Sequence, residues 1–157
     1  MSHLSKSEYM DRIVLHKQSV KVGIQRIIDE LADRAEKHDD DKFETEVFDS
    51  FYNALDKFIN TKFGERNWEL AMDEIGDSLF KHYSASPHHA QHYENGINGT
   101  NLLDLIEMMV DWKSASNSYG DSSFEESLRV QKKRFGIDDQ LYGILTNTAI
   151  KLGYMEL

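Results

Sequence analysis

Cysteine is absent from this 157-residue chain, which excludes both a disulfide framework and a structural zinc site of the thiolate kind. Positive charge is scarce: 18 Lys and Arg stand against 28 Asp and Glu, for a formal net charge of −10. Such a chain repels phosphate backbones and anionic membrane surfaces, so a nucleic-acid polymer and a membrane are not expected partners. The chain opens without an apolar run of signal-peptide length, and no window approaches the ~20 apolar residues of a membrane span. A soluble, cytoplasmic protein is the expectation. Strand-type alternation, repeats, low-complexity tracts and interdomain linkers are also missing. Proline occurs once, as Pro87.

Helical periodicity fills the chain instead. Ile13, Val20, Ile24, Ile27, Ile28, Leu31 and Ala35 form one stripe, with His16 on the same side and therefore expected inward. Asp33-Arg-Ala-Glu36 has the form of a capping box, which would begin a separate short helix carrying His38. The break matters, because a straight helix would hold His16 and His38 about 33 Å apart. Val47, Phe48, Phe51, Tyr52, Leu55, Phe58, Ile59 and Phe63 make the clearest amphipathic helix, a core-filling stripe closed by Gly64. A further helix from about Arg66 carries Trp68, Ala71, Ile75 and Leu79 on one side and continues to His82.

Ser86-Pro87 reads as an N-cap and first helical residue, opening a short helix with His88, His89 and His92; Gly96 and Gly99 end it. Thr100 or Asn101 caps the next helix, 102–112, which is apolar on nearly every side and so reads as central. Residues 114–123 read as a loop. Ser122-Ser-Phe-Glu-Glu126 caps a helix to about Phe135, and a last helix runs from about Asp138 to Leu152, with Leu141, Ile144, Leu145 and Thr148 inward. The expected architecture is all-α: one domain over 1–157 of six or seven helices, with a core over about 8–115 and C-terminal helices over about 122–153.

The chemistry-bearing residues are clustered. Adjacent residues on a helix point about 100° apart, so His38-Asp39 can serve one ion only where the chain bends. Inside the apolar helix, Asp104, Glu107 and Asp111 share one line, and carboxylates so placed are costly unless paired or metal-bound. His16, His38, Asp39 and Asp111 would make an N/O site from three helices. Asp104 lies two turns from Asp111, about 10.5 Å along the axis, so only one of them can join it. Glu107 is a second ligand or the orienter of a ligand histidine. His88 and His92, at i and i+4, can chelate a metal or meet a substrate phosphate, and His89 is the alternative inward member. Taken singly, each histidine and the Asp39–Asp41 run has a bland reading as core residue, surface patch or charged cap; their coincidence points to metal.

The order His16, then His38-Asp39 followed by Asp40-Asp41-Lys42, then Asp111 in Val-Asp-Trp-Lys-Ser-Ala115 resembles the HD superfamily of metal-dependent phosphohydrolases. HDDDKF, PHHAQHY and DLIEMMVDW together are similar to a small HD-related family of bacterial and phage proteins. The likeness spans roughly His16 to Ala115, with a short gap between His16 and His38 and extra histidines over 82–92. It implies His16, His38, Asp39 and Asp111 as ligands of one or two divalent transition ions (Mn, Co, Ni, Fe or Zn), with Lys42 near a phosphate. The reaction expected is hydrolysis of a small phosphate ester or nucleotide through a metal-activated water, with Lys42 and His88 or His92 stabilising negative charge or acting as acid. Two other readings stand beside it. One is a noncatalytic metal-binding or inhibitor protein; the other is a di-iron oxygenase in which His82, His88 or His89 completes a second metal position. Self-association is left open.

Overall fold

The computed structural model describes residues 4–59, 66–118 and 123–156. Among them there are seven α-helices and no strand, which is the all-α class that the periodicity predicts. They are α1 (Lys6–Lys37), α2 (Thr45–Ile59), α3 (Arg66–Glu74), α4 (Gly76–Ala85), α5 (Leu102–Ser118), α6 (Phe124–Phe135) and α7 (Asp139–Lys151). The chain divides into two compact units, Met1–His38 and Asp39–Leu157.

The first unit is one uninterrupted helix. Ser5 Oγ accepts from the Glu8 amide at 3.2 Å while the Glu8 carboxylate accepts from the Ser5 amide at 2.8 Å, a reciprocal cap on α1. Those bonds from Ser5 hold the Glu8 carboxyl below its ordinary pKa. The break expected near 27–33 does not occur. Asp33 is spent on an i,i+4 ion pair with Lys37 at 2.8 Å rather than on a cap, and Gln25 bonds Asp29 in the same register. Helix-favouring Leu, Ala, Glu, Lys and Arg fill this stretch, and nothing in it interrupts propagation. His16 is exposed, not inward, and the continuous rod separates it from His38 by about 33 Å. His16 therefore leaves the ligand set.

The second unit opens on Asp39, whose φ of 60° makes it the only non-glycine residue with positive φ among those described. Aspartate tolerates this left-handed conformation better than most residues. A 3-10 turn over Asp40–Phe43 follows and leads into α2. On α2 the buried residues are Val47 and Ala54, with Phe51 half-buried; Phe48, Tyr52 and Leu55 are exposed. The face turned to α3 and α4 is thus rotated from the full aromatic stripe, because small Ala54 admits close approach to Ala71 and Ile75. Phe51, Met72 and Leu79 close this cluster. The expected continuation of α2 to Phe63 and the Gly64 cap lie outside the described residues. The helix expected from Arg66 to His82 is divided at Ile75 and Gly76, where glycine is the poorest helix former after proline.

A second core gathers Met108, Met109 and Trp112 of α5 with Phe124 and Leu128 of α6, Ile137, and Leu145 and Ala149 of α7. Trp112 stacks on Phe135 at 5.8 Å between ring centres. Burying a side chain of this size contributes about 1.5–3 kcal/mol, so α5 is held as the central helix its composition predicts. On α7 the inward line is Leu145 and Ala149, with Ile144 exposed. Helix α5 runs on through 114–118, where a loop was expected; Ser116 is buried and bonds back to the Lys113 carbonyl at 2.8 Å. Ser123 and Asp138 cap α6 and α7 by accepting from the amides of Glu126 and Leu141, and Gly136, at φ 63°, ends α6.

The segment between α4 and α5 is tied to the same core by Ala90 and Ile97. Asn101 caps α5, accepting from the Leu103 and Asp104 amides at 2.8 and 3.1 Å, while fully buried Asp104 accepts from the Asn101 amide at 2.8 Å and the Tyr93 hydroxyl at 2.6 Å. Asp104 is thereby accounted for as a helix-cap residue. A Cβ on Gly99 would come within 2.6 Å of Tyr93 Cβ, so only glycine lets the tyrosine ring lie across this turn.

Candidate metal centre

His82 occupies the inner face of α4 one turn after Leu79 and is 1% exposed. The ring of Phe51 meets it edge-on at 6.3 Å. Its Nδ1 lies 2.8 Å from Asp41 Oδ2, and the Ser86 hydroxyl is 3.4 Å from the same nitrogen. Burial lowers the His82 pKa, opposed by the bond to Asp41, so the ring is neutral near pH 7. A neutral imidazole that donates Nδ1–H to a carboxylate carries a lone pair on Nε2.

His88 and His89 arrive on a turn rather than a helix. The His89 amide donates to the Ser86 carbonyl at 3.0 Å, closing a β-turn with Pro87 in the position that its fixed φ suits. Only Ala90–His92 then form a 3-10 turn, and His89 itself is extended. This corrects the helix expected from Pro87, and with it the divergence of His88 and His89: their ring centres are 4.3 Å apart, and both rings face His82. His88 Nδ1 lies 3.1 Å from Glu107 Oε1 and its Nε2 lies 3.3 Å from Asp39 Oδ1. His89 Nε2 is 2.8 Å from His82 Nε2. Burial, with the charges of His88, His82 and Lys42 adding to it, pushes the His89 pKa down to about 2, so this ring too is neutral. Tyr83, which accepts from Arg134 at 3.3 Å, covers the outer side of the His89 ring at 4.6 Å.

Four ligand atoms, one each from Asp39, His82, His88 and His89, lie within 4.8 Å of one another. The separations of 3.5 Å from His82 Nε2 and 3.3 Å from His88 Nε2 to Asp39 Oδ1 are near the about 3.4 Å edge of a tetrahedron with bonds near 2.1 Å, whereas the 2.8 Å between His82 Nε2 and His89 Nε2 is shorter and is a hydrogen-bond distance. Imidazole nitrogens and a carboxylate oxygen that face one another with lone pairs repel, and a cation among them removes the repulsion. The donor set therefore fits a divalent transition ion of borderline softness. Lys42 holds the other oxygen of Asp39 at 2.6 Å and lies over the Phe51 ring.

Of the residues singled out from sequence as candidate ligands, Asp39, His82 and His89 come together here. His88, expected either to chelate a metal or to meet a phosphate, lies in the same group, and Lys42 and Glu107 contact its members. Asp111, though partly buried on α5, contributes no atom to this four-residue group; Glu107, one turn earlier, is the α5 carboxylate that reaches it. His92 is outside the group as well: it packs against Tyr93 at 4.8 Å, and its Nδ1 is buried without a hydrogen-bond partner among the described residues. The helix that would have set it beside His88 is not formed. His38 ends the first unit as the C-cap of α1. Asp41 was missed. Its signal was the i,i+2 spacing from Asp39 in a run that reads as a cap, and nothing in that run points to a histidine 41 residues away.

Among the described residues no helix is long and apolar enough to cross a membrane. Neither the curated proteins nor the solved structures contain a match to this chain. A family model matches residues 5–151, nearly the whole length and every element of the site. The chain belongs to DUF5662, a family of unknown function.

Proposed function

We propose that this protein is a metal-dependent hydrolase of small phosphate esters, with Asp39, His82, His88 and His89 as the ligands of one divalent transition ion. The observation that carries the reading is the convergence of three imidazoles and one carboxylate oxygen from two turns and a helix. A cation bound there supplies an acidified water and neutralises charge on a phosphoryl oxygen. The chain supplies the rest. Lys42, partly exposed and fixed on Asp39, places a positive charge beside the donors for an incoming phosphate. Asp40, Asp41 and Glu44 flank it in sequence and the chain carries a net charge of −10, which favours a small ester neutralised at one point over a polyanion. The resemblance to HD phosphohydrolases supports the same chemistry through Asp39 and Lys42, with His82, His88 and His89 in place of His16, His38 and Asp111.

A second reading, a noncatalytic metal-binding protein, is favoured by the donor count. Four protein ligands already complete a tetrahedral shell, as in structural sites, whereas catalytic centres keep a position open. Stripped protein reloaded separately with Mn, Co, Ni, Fe(II) or Zn and offered phosphomonoesters and nucleotides separates the two. The hydrolase reading expects phosphate release that needs the metal and disappears in Asp39→Asn. Tight binding of one ion without turnover on any substrate supports the closed centre, and failure to bind any metal refutes both.

A further inference from the structure

Two carboxylates stand behind the donor nitrogens, one for each of the two most buried rings. Asp41 Oδ2 is 2.8 Å from His82 Nδ1, and Glu107 Oε1 is 3.1 Å from His88 Nδ1. They come from separate elements of the second unit, the turn after Asp39 and the middle of α5, and each faces the Nδ1 of its histidine. Resting on the metal-centre reading above, we infer that Asp41 and Glu107 are positioning residues that hold His82 and His88 in the Nδ1–H form. Both Nε2 lone pairs then point at the ion position before any ion arrives.

The physical argument is one of tautomer selection. A free imidazole exchanges its single proton between two nitrogens, and only the bare one can donate to a metal. A carboxylate accepts and never donates when ionised, so a ring nitrogen beside it must carry the proton, and the opposite nitrogen is bare. For His82 the alternative form would set an Nδ1 lone pair against the Asp41 carboxylate at 2.8 Å and leave an N–H to share the space with His89 Nε2. The rings are also aimed: Glu107 is on the central helix, whose neighbours Met108 and Met109 are fully buried, so the His88 ring cannot turn without losing this bond. Carboxylate partners of ligand histidines in general change metal affinity about 10–100-fold when removed.

Nitrogen-15 NMR of the metal-free protein at pH 7.5 reads the tautomers directly, and competition with a chromophoric chelator for Co(II) and Zn(II) reads affinity. In wild type, His82 and His88 are expected to show protonated Nδ1 and bare Nε2. Asp41→Asn and Glu107→Gln are expected to mix the two forms at their own histidine and to weaken metal binding about 10–100-fold, with the helical spectrum retained. The wild-type spectrum needs no variant, so a substitution that fails to fold does not remove the test. Nε2–H tautomers, or doubly protonated rings bridging two carboxylates, overturn the inference. So does a pair of folded variants that bind both metals as tightly as wild type. If wild type binds neither metal, the metal-centre reading itself fails and these residues have no ion to position for; unaltered affinity in the variants of a metal-binding wild type refutes the positioning role alone.

Discussion

His82 and His89 bring their Nε2 atoms to 2.8 Å of each other, although one sits on a helix and the other on a proline turn seven residues later. Two neutral rings can share this distance by one hydrogen bond, but Asp39 Oδ1 lies 3.5 Å from His82 Nε2 as well. Under the proposed metal-centre reading, a cation bound among these atoms would relieve their mutual repulsion.

Folding stability should therefore respond to metal. A site that exists only in the folded state stabilises by about 2.7 kcal/mol when free ion is 100 times its Kd. Thermal melts of the stripped protein with and without Zn(II) or Co(II) are expected to show a clear upward shift. His89→Ala is expected to lose most of that shift while melting close to wild type in the presence of chelator.

Acid should destabilise the metal-free protein through the same rings. The folded-state pKa of His89 is near 2 and that of His82 is also lowered, while in the unfolded chain both bind protons below about 6.5. Between those limits the unfolded state holds more protons, so stability falls as pH drops from about 6.5 and is level above it. One such group contributes a slope of at most about 1.4 kcal/mol per pH unit. Urea midpoints from pH 8 to pH 4 in chelator measure this, and His89→Gln is expected to flatten the profile.

Tyr93→Phe removes the hydroxyl that donates to buried Asp104 at 2.6 Å. Asp104 keeps the Asn101 amide, so the cap of α5 survives with one bond fewer. The expected loss is about 1–3 kcal/mol, the usual consequence of leaving part of a buried carboxylate unsatisfied. Urea unfolding checks it, with helix content unchanged before the transition.

Two glycine-to-alanine changes should move stability in opposite directions. Gly99→Ala places a methyl 2.6 Å from Tyr93 Cβ, an overlap expected to cost about 1–3 kcal/mol. Gly143→Ala, within α7 and with open space around the new methyl, is expected to add about 0.5–1 kcal/mol. Paired denaturation curves decide both signs.

Much of the fold could be read along the chain because it is local. The caps at Ser123, Asp138 and Asn101 and the glycine that ends α6 are short-range features, each satisfied within four residues. The unbroken course of α1 was misread for a related reason: Asp33 can cap a helix through Glu36 or pair with Lys37 at i+4, and only helix continuity selects between them. The turn at Ser86–His89 was misread because a serine before a proline opens a helix or a β-turn with the same local chemistry.

Taken alone, the order of residues determined an all-helical chain with an acidic surface and histidines enough for a transition ion, since these follow from periodicity, charge and side-chain type. Which of those histidines meet was decided only in three dimensions. The left-handed conformation at Asp39, the proline turn and the packing of α4 against the segment before α2 bring Asp39 and Asp41 to His82, His88 and His89. The physical reason is that ligand sets are made by distances between elements, and those distances depend on small residues such as Ala54 and Ala71 that carry no chemistry of their own.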